Sequence, residues 1–152
     1  MQRLQWSALL ETGVPEMDQS HRALLQAIHA TIDADDASLC QRIGELLAAL
    51  RADFEQEEQM MERLHYPDAH EHRAAHRRVL GALEHALPVV HGGDAEGARA
   101  LLERLPRWFL GHLSAMDLPL AVAAERAANP YAQPPSAALR QRLAQLLQEQ
   151  SI

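Results

Sequence analysis

The sequence predicts an all-α protein: an up-down-up-down antiparallel four-helix bundle with an N-terminal arm and a short C-terminal extra helix. Three observations carry that prediction. Ala, Leu, Glu, Gln and Arg, which lose little in a helix, abound, while β-branched residues are scarce and no stretch reads as a convincing strand. Apolar residues recur at helical spacing in four successive segments. Short turn and breaker signals separate those segments, and short connections make neighbouring helices antiparallel.

An irregular arm leads to Gly13 and Pro15, and Asp18 is the expected N-cap of a first helix. That helix carries His21, Leu24, Leu25, Ile28 and Ile32 on one face and stops in the acidic turn DADDAS. A second helix, from about Ser38 to Leu64, puts Ile43, Leu47, Leu50, Phe54, Met61 and Leu64 at core spacing and ends at the YPD turn of Tyr66 to Asp68. The third starts at Asp68, carries His72, His76, Val79 and Leu83 on one stripe, and breaks at Pro88 and HGGD. The fourth starts near Asp94 and continues through Leu105, Phe109, His112, Met116 and Leu120, with kinks expected at Pro106 and Pro119. Beyond NPYAQPP, Leu139, Leu143, Leu146 and Leu147 share a face of a short fifth helix, expected to dock on its own bundle. The chain thus divides into a bundle over residues 1–128 and a C-terminal extension over residues 129–152.

A chain of 152 residues is one domain's worth, enough to bury about two thirds of its unfolded surface. The formal charge of -7 and pI near 5.7 argue against neutralising phosphates, and no basic stripe interleaved with aromatics appears, so nucleic acid is not an expected partner. No cationic start precedes a long apolar run, and no stretch approaches the ~20 apolar residues of a membrane span. Cys40 stands alone, which gives an oxidising compartment no support, and the expected location is cytoplasmic. Nine histidines is a high count and asks for a chemical explanation.

Several of them lie on the buried stripes. Asp53 and Glu57 sit four apart on the inward face of the second helix. Burying unpaired carboxylates costs several kcal/mol each even after relaxation, so a proton, cation or metal must compensate. His72 and His76, also four apart, are spaced to reach one metal ion. The fourth helix adds His112 and Asp117, and the first adds His21. A lone core histidine is ordinarily a neutral hydrogen-bonded residue, but seven inward polar groups from four helices are hard to satisfy without metal. Mixed imidazole and carboxylate ligands suit iron, manganese or zinc, and carboxylates able to bridge favour two ions over one.

In order and spacing these motifs resemble the bacterial members of the metal-binding hemerythrin-like family. The resemblance runs from Trp6 to about Leu120. A Trp-containing arm leads to the family's G-V-x-x-x-D-x-x-H, here GVPEMDQSH ending at His21. H-F-x-x-E-E is read here as DFEQEE, the YP turn and H-x-x-x-H pair as YPDAHEHRAAH, and W-L-x-x-H-x-x-x-x-D as WFLGHLSAMD. The resemblance implies two non-haem irons with an oxo or hydroxo bridge: His72, His76 and His112 on one, His21 and position 53 on the other, and Glu57 and Asp117 bridging both. It also implies dioxygen, or a similar small ligand, as the molecule bound.

The chain departs from the pattern at Asp53, where the family has histidine. Asp53 either coordinates despite its shorter reach, contacts a metal-bound water, or leaves the second position weakly filled. An anion in place of neutral imidazole stabilises ferric iron, so dioxygen is expected still to react, with an oxygenated form that decays to diferric faster than in an all-histidine relative. Gly111 reads as loose helix geometry after Pro106, and His29 as a core or supporting donor about 12 Å from His21 along the helix axis. His65, His70, His85 and His91 read as surface or turn residues. Glu58 reads as solvated or as supporting a ligand, and Trp108 and Phe109 as walls of the pocket. The leading functional reading is a protein that stores, delivers or senses dioxygen, with a delivery or redox partner that the sequence does not name. A di-iron redox enzyme reducing dioxygen, peroxide or nitric oxide is the alternative, and a metal-buffering or structural bundle the third.

Overall fold

A computed structural model describes residues 3–131 and 137–150, and its regular elements are all helical, with no strand among the described residues. In chain order they are α1 (Pro15–Ile32), α2 (Leu39–Leu64), α3 (Ala69–His91), α4 (Ala95–Leu102), α5 (Leu105–His112), α6 (Leu118–Ala128) and α7 (Ala137–Glu149). A 3₁₀ turn at Ala8–Leu10 precedes α1, and a π turn at Leu113–Asp117 joins α5 to α6 without a break.

Local chemistry moves several boundaries away from the sequence reading. Pro15, whose fixed φ and missing N–H suit a first turn, opens α1, so Asp18 is not its N-cap. Asp18 instead fastens the arm to the helix, its carboxylate accepting from Thr12 N and Thr12 Oγ1 at 2.7 Å each and from Gly13 N at 3.2 Å. His65, in the left-handed region at φ 48°, closes α2, and the following Tyr66 N donates to Met61 O. The third helix does not break at Pro88: α3 continues to His91, because one lost N–H within the last turn is tolerated. The fourth segment is not one kinked helix. Asp94 caps the separate α4 by accepting from Gly97 N at 3.0 Å. A new helix then opens at Leu105 with Pro106 in its first turn, where the missing N–H is no loss, while Pro119 directly follows the π turn at the start of α6.

α1 packs on α2, α2 on α3 and α6, α1 also on α4 and α5, and α7 on α5 and the 3₁₀ turn. Two apolar clusters fill the interior. The larger holds Leu24, Ile28, Leu50, Phe54, Val79, Leu83, Phe109 and Leu110, and Leu143 of α7 joins it. The smaller holds Met17, Met60, Met61, Leu120 and Ala121. Full burial of each such side chain is worth about 1.5–3 kcal/mol. Along each segment the buried polar residues fall between the clusters: His21 after Met17 and before Leu24, Asp53 and Glu57 between Leu50 and Met60, and His112 and Asp117 between Phe109 and Leu120. No helix among the described residues is long and apolar enough to cross a membrane.

Candidate metal centre

α1 contributes His21, α2 Asp53 and Glu57, α3 His72 and His76, and the α5–α6 segment His112 and Asp117, and all seven are buried. The spacings of four on α2 and α3 put each pair on one helix face. His112 and Asp117 are five apart, and the π turn between them, bonded i to i+5, brings them back to one face. Such a bulge is invisible to a reading that expects only the α-helical period.

Glu57 and Asp117 lie at the centre. Glu57 Oε1 is 3.0 Å from His21 Nε2, while Oε2 is 3.3 Å from His72 Nε2 and 3.1 Å from His76 Nε2. Asp117 repeats the pattern, with Oδ2 3.2 Å from His21 Nε2 and Oδ1 3.0 Å from the Nε2 atoms of both His72 and His112. Each carboxylate therefore turns one oxygen to His21 and the other to the three-histidine group. The potential ligand atoms fall into two sets, each lying within 4.8 Å of one another: Glu57, His72, His76, His112 and Asp117, and His21, Asp53 and Glu57.

Burial and charge oppose one another throughout. Burial disfavours the charged form of His72, but bonds to Asp117 and Glu57 outweigh it and lift the imidazole to about 9. His21 is raised for the same reason, against burial, by Asp117 and Glu57. Burial and the neighbouring Asp117 push Glu57 up, yet its bonds to His21, His72 and His76 bring it below the usual range. Asp117 is held well below that range, with His112 the main influence against burial. Asp53 behaves differently, since burial and the charge of Glu57 push it up to about 7.

The donor set fits a cation. His112 Nε2 lies 3.2 Å from both His72 Nε2 and His76 Nε2, and one ring nitrogen cannot satisfy two such neighbours with a single proton or lone pair. Asp53 Oδ1 is buried and has no hydrogen-bond partner among the described residues. An ion accepting those lone pairs removes the conflict.

Asp53 shares the cavity, but its Oδ1 stands 3.7 Å from His21 Nε2, beyond hydrogen-bond reach. Ser20 acts in the opposite direction to burial, favouring the ionised carboxyl, an influence that a lone serine beside His21 did not signal in the sequence. Aromatic rings wall the site: Phe54 stacks on His76 at 3.8 Å, Trp108 on His112 at 5.0 Å, and Phe109 meets His21 edge-on at 5.7 Å. Phe54, read from sequence as core, thus also braces a potential ligand. His29 stays outside the cluster, and His65, His70, His85 and His91 are exposed.

Residues 12–124 match the model of the hemerythrin HHE cation binding domain. The chain is 31% identical over 114 residues to a bacteriohemerythrin of Ralstonia nicotianae (strain ATCC BAA-1114 / GMI1000), a match covering 75% of this chain and 83% of that protein. Hemerythrin-like proteins of Naegleria gruberi and Naegleria fowleri are each 25% identical over 113 residues, covering 74% of this chain and 87% of theirs. No solved structure matches the chain.

Proposed function

The chain belongs to the hemerythrin HHE cation-binding family, and from that premise we propose that it is a non-haem di-iron protein that binds dioxygen for storage, delivery or sensing. The observation that carries this reading is the pair of carboxylates, Glu57 and Asp117, each turning one oxygen to His21 and the other to the three-histidine group. His72, His76 and His112 are the ligands assigned to one iron, His21 and Asp53 to the other, and Glu57 and Asp117 to both. When bound, two ferrous ions supply the two electrons that dioxygen takes up. The chain's part is to orient and exclude: Phe54, Trp108 and Phe109 hold imidazole rings in place, and the apolar clusters on either side keep bulk water from the cavity.

The alternation of the two clusters along successive helices supports an up-down-up-down antiparallel bundle, formed by α1, α2, α3 and α5–α6. α1 runs from the methionine cluster into the larger core, α2 runs back out, and α5–α6 again leaves the larger core for Leu120. We assign residues 1–128 to this bundle and 129–152 to an extension.

Asp53 favours a second reading, a di-iron enzyme reducing dioxygen, peroxide or nitric oxide, because an anion beside the His21 position stabilises ferric iron. Metal analysis and optical spectra of the purified protein, reduced without air and then mixed with it, test the first reading. About two irons per chain and a reversible spectral change are expected, while iron-free protein or irreversible oxidation with turnover of an electron donor counts against it.

A further inference from the structure

We propose that Glu58 is a positioning residue: its carboxylate accepts the outer N–H of His76 and aims the inner nitrogen of that ring at the ion of the three-histidine group. The proposal rests on reading that cluster as a metal site.

His76 Nε2 faces the cavity, 3.1 Å from Glu57 Oε2 and 3.2 Å from His112 Nε2. Its other nitrogen, Nδ1, lies 3.0 Å from Glu58 Oε1. A carboxylate can only accept, so Glu58 fixes a hydrogen on Nδ1, and with an ion in the cavity Nε2 is the nitrogen left to give it a lone pair. Phe54, stacked 5° from parallel, restrains the tilt of the ring, and the Glu58 bond restrains its rotation. Arg73 Nε stands 3.8 Å from the second oxygen, Glu58 Oε2. By contrast, Nδ1 of His21 and Nδ1 of His72 are buried with no hydrogen-bond partner among the described residues. His76 is therefore given a carboxylate support that those two rings lack, and such a support makes an imidazole a stronger donor to metal.

The position of Glu58 makes the idea testable. The His76 side chain is 1% exposed, but that of Glu58 is 36% exposed, on the wall of an open groove of about 400 Å³ shared with Arg51, Phe54 and Arg73. Truncating Glu58 removes one hydrogen bond and opens no core cavity.

The full-length protein, Glu58→Ala and Glu58→Gln are titrated anaerobically with ferrous iron against a competing chelator, and their iron reduction potentials and metal-free Tm values are measured. Glu58→Ala is expected to bind iron about 10–100-fold more weakly. Its metal-free Tm should stay within about 2 °C of the parent, as for an ordinary surface substitution. Glu58→Gln, whose amide oxygen still accepts but carries no charge, should recover most of the affinity while holding the iron at a higher potential than the parent. Unchanged affinity and potential in Glu58→Ala overturn the proposal, as does an affinity loss matched by a comparable fall in metal-free Tm. If the parent itself takes up no iron, the metal-site reading fails first, and that outcome is visible before any variant is compared.

Discussion

A single histidine's protonation already ties the cluster to metal binding. His72 is lifted to about 9 in the metal-free protein, because its bonds to Asp117 and Glu57 outweigh its burial. Below that value the ring holds a proton that an incoming ion must displace. Ferrous affinity should therefore rise as pH goes from about 7 to about 9, and competition titrations across that window check it; a flat profile would mean that this ring is not a ligand. Asp53 is the residue on which the choice between carrier and enzyme turns. Asp53→His restores the imidazole of the family pattern, and stopped-flow mixing with air should reveal a longer-lived dioxygen adduct. An unchanged decay rate would place this side chain away from the metal. The grouping of these seven side chains was legible in the sequence because carboxylates and imidazoles recur on apolar stripes of four segments, two of the pairs at spacings of four, where burial demands a compensating proton, cation or metal. Ser20 and the brace of Phe54 on His76 were not legible, since a serine and a phenylalanine at those positions look like any others.

At the scale of the element, the existence and phase of α1, α2 and α3 followed from their apolar periodicity, although Pro15 moved the start of α1 and α3 ran on through Pro88, whereas the segment after Gly93 did not follow. Periodicity joined α4 to α5 because Leu102 and Leu105 continue one stripe, yet the backbone breaks between them. The π turn escaped for the same reason, since its trace is a single spacing of five between His112 and Asp117. Docking of the tail helix, by contrast, was foreseen from its leucine stripe, and Leu143 is 2% exposed within the larger core. Leu143→Ala should cost about 2–5 kcal/mol, read as a Tm lower by roughly 4–20 °C for a chain of this size. A change under a degree would mean that α7 contributes little. Gly111 faces the same helix, and a Cβ added there would meet Leu147 Cδ1 at 3.7 Å, an ordinary contact. Gly111→Ala should then stabilise the fold by up to about 1 kcal/mol through helix propensity, and a lower Tm would show that this position needs its glycine.

For the molecule as a whole, the polar layer joins metal occupancy to folding. Two apolar clusters on either side of seven buried polar groups make a core that is interrupted at its middle, and an unpaired atom such as Asp53 Oδ1 weakens the metal-free state. The candidate ligands come from α1, α2, α3 and the α5–α6 segment, so two ions held by the two sets would together crosslink all four, and the unfolded chain offers no preformed equivalent. An ion that binds only the folded state adds about 2.7 kcal/mol at a free concentration one hundred times its Kd. At about 2–4 °C per kcal/mol this corresponds to a Tm roughly 5–11 °C higher than that of chelator-stripped protein. Glu57→Ala removes the carboxylate shared by the two ligand sets, and iron should raise its Tm by less than it raises that of the parent. Should iron raise the Tm of that variant as much as that of the parent, the ion sits elsewhere on the protein. The two measurements together separate a metal that organises the interior from one bound at the surface.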